Sequence, residues 1–170
     1  MTTQGPIRTG QLELVDEHGV VRMTLTAGES DVVIDGAQKE RVASFAGIIV
    51  RDEIGNERGG LGYLGGPDGR AVWALDNPAF DAIGAMVGDD GAVTFAVNQP
   101  PAPTAGEDGS VEGATRLLMR VAADGTPSIS LADAQDRPRL RLSLKDDGAG
   151  AIEFLDATGA VVHSIVPEHE

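Results

Sequence analysis

Along most of the chain, apolar residues recur at every second position in short runs. Each run ends at an acidic residue followed closely by glycine. Leu12 and Leu14, Met23 and Leu25, Ile129 and Leu131, Leu140 and Leu142, and Ile152 and Phe154 all keep this spacing. A period of two puts both members of a pair on one side of an extended strand. Turn signals such as Asp68-Gly69, Asp90-Gly91, Asp124-Gly125 and Asp147-Gly148 separate the runs. Many short strands punctuated in this way predict an all-β protein of repeated antiparallel hairpins, arranged as a sandwich, barrel or prism.

A longer pattern emerges when the chain is aligned with itself. Leu12-Glu13-Leu14-Val15-Asp16 leads through Gly19 to Arg22, and Ile48-Ile49-Val50-Arg51-Asp52 leads through Gly55 to Arg58. A third copy runs from Ile129 through Asp133 and Asp136 to Arg139, and a fourth from Ile152 through Asp156 and Gly159 to Val162. Val72 to Asp76 opens a further copy in which Pro78 interrupts the turn. The aspartates suit the first position of a type I turn, where the carboxylate accepts local backbone N–H bonds, and glycine suits the position of positive φ. Asp136 takes the glycine position, and aspartate is among the few residues that tolerate it.

Register decides which residues share a face. Were Asp16 to face Val20 across three loop residues, Leu14 would oppose Arg22 and the apolar stripes would part. If Asp16 faces Val21, across a two- or four-residue loop, then Leu12, Leu14, Met23 and Leu25 fall together. The second register is expected, with Arg22, Arg58 and Arg139 turned away from the stripe. Ile49, Val15, Leu155 and Val162 then lie on the other side, so both faces ask for cover. Sister copies supply it most simply, which predicts a homo-oligomer, a trimeric prism in preference to a dimer.

Residues 100–113 are rich in Pro, Gly and small polar residues and read as a loop between two hairpin sets, 1–99 and 114–166, within one compact domain. Residues 167–170 read as a tail. Thr115 to Ala123 alternates like a strand and is followed by Asp124-Gly125.

Charge narrows the function classes. A formal net charge of −14, with no Lys/Arg cluster, opposes binding to nucleic acid. No apolar run approaches the roughly 20 residues that span a bilayer, and the first residues lack a leader's apolar centre, so a cytoplasmic protein is expected. With no cysteine, and His18, His163 and His169 scattered, no metal or other cofactor is expected. Arginine outnumbers lysine eleven to two, in keeping with a bacterial, GC-rich origin. The turn pattern, with Glu57-Arg58-Gly59-Gly60, resembles uncharacterised bacterial β-hairpin-repeat proteins over most of the chain. That resemblance implies the fold and no activity.

Few residues offer chemistry. His163 falls on the apolar stripe, where an imidazole can exchange a proton near neutrality. Arg58 belongs to a row of turn arginines that could clamp an anion or simply pair with the turn aspartates. Gly59, an inner-facing strand glycine, marks either close packing or a hollow beside Tyr63 and Trp73 that admits a small molecule. The expectation is therefore an oligomeric β-repeat binding or assembly module. The alternative is a cofactor-independent enzyme, a lyase, isomerase, cyclase or hydrolase. It would act on a small apolar substrate in a β-lined pocket, with His163 and Arg58 catalytic and Gly59, Tyr63 and Trp73 binding.

Overall fold

The computed structural model describes residues 7–34, 36–78, 80–100 and 113–167. Those residues form twelve strands and no helix. The first six are β1 (Gln11–Val15), β2 (Val21–Ile34), β3 (Ala37–Arg51), β4 (Glu57–Leu64), β5 (Arg70–Asp76) and β6 (Asp81–Gly88). There follow β7 (Val93–Gln99), β8 (Ala114–Val121), β9 (Pro127–Ala132), β10 (Pro138–Leu144), β11 (Gly150–Leu155) and β12 (Val161–Ile165). Every strand pairs with its sequence neighbour, giving one open antiparallel sheet ordered β1 to β12. The two hairpin sets are therefore continuous, since β7 pairs directly with β8. Residues 101–112 of the expected loop, and 168–170 of the expected tail, lie outside the described residues.

The turns explain how the register is set. Asp16 N donates to Val20 O at 2.9 Å and Gly19 N donates to Asp16 O at 3.0 Å, so the loop has three residues, not the two or four expected. Val15 pairs with Val21, yet Leu14 pairs with Met23, and Arg22 is left over as a bulge. The bulge restores the register that gathers the stripe on one face, because a bulge adds one residue to one strand. Arg58, Arg139 and Val162 fall at the same step of their own hairpins. The repeated arginine is thus a bulge residue that reaches back to its turn. Arg22 meets Asp16 at 3.4 Å, Arg58 meets Asp52 at 2.5 Å and Arg139 meets Asp133 at 3.8 Å. Meanwhile Oδ1 of the same aspartate accepts two backbone amides, as from Ile54 and Asn56 at Asp52. Asp136 adopts φ 59°, as its place in the pattern requires.

These turns all lie at one end of the sheet, here called the upper end. At the lower end, the β6–β7, β8–β9 and β10–β11 turns keep the three-residue loop with no second bulge.

Reading cross-strand partners through the sheet gives an unbroken apolar row of Leu12, Leu25, Ile48, Leu61, Trp73, Ala85, Phe95, Met119, Ile129, Leu142, Ile152 and Ile165. A second row on the same face runs Leu14, Met23, Val50, Gly59, Leu75, Ile83, Val97, Leu117, Leu131, Leu140, Phe154 and His163. This is face A. Many of its side chains are bare for their type: Leu61 is 57 % exposed and Leu75 50 %.

The alternate residues form face B, which is small and polar across its middle: Glu13, Thr24, Ile49, Gly60, Ala74, Gly84, Ala96, Leu118 and Ser130 stand in one row. Part of it is covered. Strands β2 and β3 run past the lower end as a long arm, and the arm folds back over face B. Gly36 N, at the arm's tip, donates to Asn56 Oδ1 at 2.7 Å at the upper end. Beneath the arm lie Ile49, Thr24 and Phe45, the first wholly buried. Phe45 rests over Gly60 and Gly62; a Cβ on Gly62 would stand 2.7 Å from its ring and 2.3 Å from Ala46 O. Only glycine lets the arm come this close.

Candidate functional site: a polar hollow on face B

Next to the arm, face B opens into a hollow of about 350 Å³. Its floor is small and apolar because Gly60, Ala74, Gly84 and Ala96 project little or nothing from β4 to β7. Phe45 and Arg41 wall it on the arm side, and Leu118 borders it from β8. At the upper end, polar side chains converge. Asp76 pairs with Asp81 across β5 and β6, and Asn98 pairs with Thr115 across β7 and β8. Arg41 hydrogen-bonds Glu57 in an ion pair whose side chains are 13 % and 11 % exposed. The Arg41 guanidinium also sits 5.3 Å from the centre of the Phe45 ring. Beyond this pair, Arg51 meets Glu29 of the arm at 3.1 Å.

The presence of Asp76 here is a consequence of turn chemistry. The sequence pattern aligns Asp76 with the turn aspartates. In the fold, Asn77 takes that part: its N–H donates to Phe80 O at 3.0 Å and its Oδ1 accepts from Phe80 N at 3.1 Å. Asp76 therefore moves one place back, to the position that Val15, Arg51, Ala132 and Leu155 hold in the other hairpins. A residue that looked like a turn former becomes a half-buried carboxyl on face B.

Burial, and then the adjacent Asp81 carboxylate, push Asp76 up to about 7. Glu57 is also raised by burial, against the pull of Arg41. Desolvation penalises the charged form, and two carboxylates in one site cannot both ionise freely. The Asp76 and Asp81 side chains also hydrogen-bond each other, while Asn98 Oδ1 is enclosed and receives no hydrogen bond among the described residues. Asn98 spends its donor on Asp81 O at 2.9 Å.

The residues singled out from sequence are distributed differently. His163 does lie on face A, opposite Phe154, with ring centres 5.7 Å apart, but on the edge strand β12. Arg58 is bound to Asp52 on β4, with seven strands between it and β12. One copy does not bring the two together. Gly59 has φ 137°, and a Cβ there would stand 2.3 Å from Ala74 O, so close backbone approach accounts for it. Tyr63 donates to Asp89 Oδ2 at 2.7 Å, away from the hollow. Of the three binding candidates only Trp73 is on a stretch that borders the hollow, and its side chain belongs to face A; the hollow opens by Gly60 and not by Gly59. The turn aspartates behave as expected from their turns: amide hydrogen bonds led by that of Val20 hold Asp16 below the usual carboxylate range.

Among the described residues, no group of three or more His, Cys, Asp or Glu is placed to hold a metal ion, and no helix is long and apolar enough to cross a membrane. No protein-family model matches the chain, and no curated protein matches it either.

Proposed function

We propose that the protein is a homo-oligomeric β-repeat module for binding or assembly, in which sister copies cover face A. The observation that carries this is the pair of apolar rows crossing all twelve strands, over which no other strand packs among the described residues. Water on such a surface costs roughly 25 cal/mol per Å². A second feature favours closure about an axis. Over β7 to β12, face A is concave and forms an apolar trough of about 840 Å³ lined by Val93, Phe95, Met119, Ile129, Leu142 and Ile165. Curved sheets wrap more readily than they stack flat, so three copies in a prism are preferred to two. Light scattering at micromolar concentration should give three times the 17.6 kDa chain mass. Two times that mass would replace the trimer by a dimer, and a monomer would end the proposal.

The alternative, a cofactor-independent enzyme acting on a small apolar substrate, draws support from the hollow alone. Its acid–base groups would then be Asp76 and Asp81 in place of His163 and Arg58, since a carboxyl poised near neutrality suits proton transfer. Turnover of a substrate that persisted in Asp76→Asn and Asp81→Asn would remove that support.

A further inference from the structure

We infer that copies of this chain join edge to edge, β12 of one against β1 of the next, with face A kept to one side throughout. The junction rests on the oligomer proposed above and specifies where its copies touch.

Both edges of the open sheet are bare. In β1 and in β12, alone among the strands, every residue is exposed. A free edge offers a row of unpaired N–H and C=O groups, and proteins usually blunt it with lysine, proline or an inward charge. Val161-Val162-His163-Ser164-Ile165 contains no Lys, Arg, Asp, Glu or Pro, and Gln11-Leu12-Glu13-Leu14-Val15 only Glu13. Neither edge is guarded.

The edges also match. Strands alternate in direction from β1 to β12, so the even count leaves the two edges running opposite ways. Head-to-tail contact therefore continues the antiparallel pattern. The backbone agrees. Asp16 N donates to Val20 O and Ala27 N to Gly10 O, so the even-numbered residues of β1 bond to β2. Glu13 consequently turns its N–H and C=O outward. At the other edge Asp156 N donates to Ala160 O, and the bulge at Val162 sets His163 and Ile165 against Phe154 and Ile152. These residues bond inward, which leaves Ser164 turned outward.

Glu13 and Ser164 both stand on face B. Facing one another as a hydrogen-bonded pair, they bring Leu12 beside Ile165 and Leu14 beside His163. Both rows of face A then run unbroken from copy to copy. Had one edge turned its face A residues outward instead, pairing would have set face A of one copy beside face B of the next. A two-fold contact of β1 with β1 centred on Glu13 would oppose two carboxylates, and like charges directly opposite destabilise a sheet. Contact of β12 with β12 would leave both β1 edges open. Head-to-tail contact uses every edge, and it forms a ring where the rotation closes.

Cysteine cross-linking of the full chain tests the junction, because the chain has no cysteine of its own. Leu14 and His163 would form a pair without mutual hydrogen bonds, their Cα atoms about 4.5 Å apart and within reach of a disulfide. Oxidised Leu14→Cys/His163→Cys should give a covalent ladder up to the mass of the oligomer. A co-refolded mixture of the two single variants should stop at the covalent dimer, and neither variant alone should cross-link. Ser164→Pro removes the N–H donated across the junction and no bond to β11, so the chain should fold. It should weaken association about tenfold or more, whereas Ser164→Ala should leave it unchanged. An oligomer that persists without the ladder, or association unmoved by Ser164→Pro, would overturn the junction and leave the cover of face A standing. A monomer would end both. A disulfide closed within one chain would also overturn the junction, since the two edges would then meet in a single copy.

Discussion

The two faces of this sheet are built from alternate residues of the same strands, yet they obey different rules. Face A is uniform. Two apolar rows cross from β1 to β12 with only Gly59, Ala85 and His163 departing from large aliphatic, aromatic or thioether side chains. Face B is local: wholly buried Ile49 under the arm, a glycine-lined floor beside it, and a cluster of charged groups at one end. The repeat therefore specifies a surface for assembly, and the departures from the repeat specify a site. Asp76 and Arg51 show this, because they occupy a step filled in the other hairpins by Val15, Ala132 or Leu155.

The largest effect should come from charging face A. Leu131 lies within its second row and is 41 % exposed in one chain. If sister copies cover it, Leu131→Asp places an unpaired carboxylate in an apolar interface, at a cost of several kcal/mol per copy. Native mass spectrometry should then show monomers. Oligomers of unchanged mass and concentration dependence would mean that face A is not the interface.

Next in size is a comparison of truncations on the two faces. Ile49→Ala removes a fully buried side chain from beneath the arm and should cost about 2–4 kcal/mol in urea unfolding. Leu61→Ala trims a side chain 57 % exposed in one chain. Covered by a partner, it should cost about as much as Ile49; left in water, it should stay within about 0.5 kcal/mol. Equal losses would support the interface by a measurement independent of mass.

Much of face A was legible in the sequence, because a period of two and an Asp-to-Gly turn at fixed spacing are local signals. The register of Leu14 with Met23 and of Leu131 with Leu140 follows from that pattern. The loop length did not, since the same register arises from a three-residue turn plus a bulge at Arg22. Face B was less readable. The arm folds back through contacts distant in sequence, such as Gly36 with Asn56, and no periodicity announces them. The run of Gly59, Gly60 and Gly62 did signal close approach, but which face it served depended on the bulge at Arg58. Asp76 was hidden because Asn77 is an equally good turn former.

A smaller effect should follow from breaking one upper turn. Asp52→Ala leaves the Ile54 and Asn56 amides without their acceptor and Arg58 without its partner. Removing such a local acceptor costs about 1–2 kcal/mol. The loss should appear in thermal melting with the oligomer intact. A change in assembly from this variant would show that the two ends of the sheet are not independent of face A.

The smallest effect is the one that separates the faces by pH. Asp16, Asp124, Asp133 and Asp156 sit below the ordinary carboxylate value, so their turns contribute stability that is present above about pH 4 and is lost as acid protonates them. Asp76 works in the opposite sense. Its folded value near 7 lies above its unfolded one, so between about pH 4 and 7 the unfolded chain releases a proton that the folded chain keeps, and stability declines as pH rises. Above 7 that term is flat. Asp76→Asn should therefore raise the melting temperature by a few degrees at pH 8 and remove the decline between pH 4 and 7. The acid limb set by the turn aspartates should survive unchanged. Partial exposure of the hollow screens the effect, which is why it ranks last. If the decline persists in the variant, another group carries it and Asp76 is not the titrating carboxyl of face B.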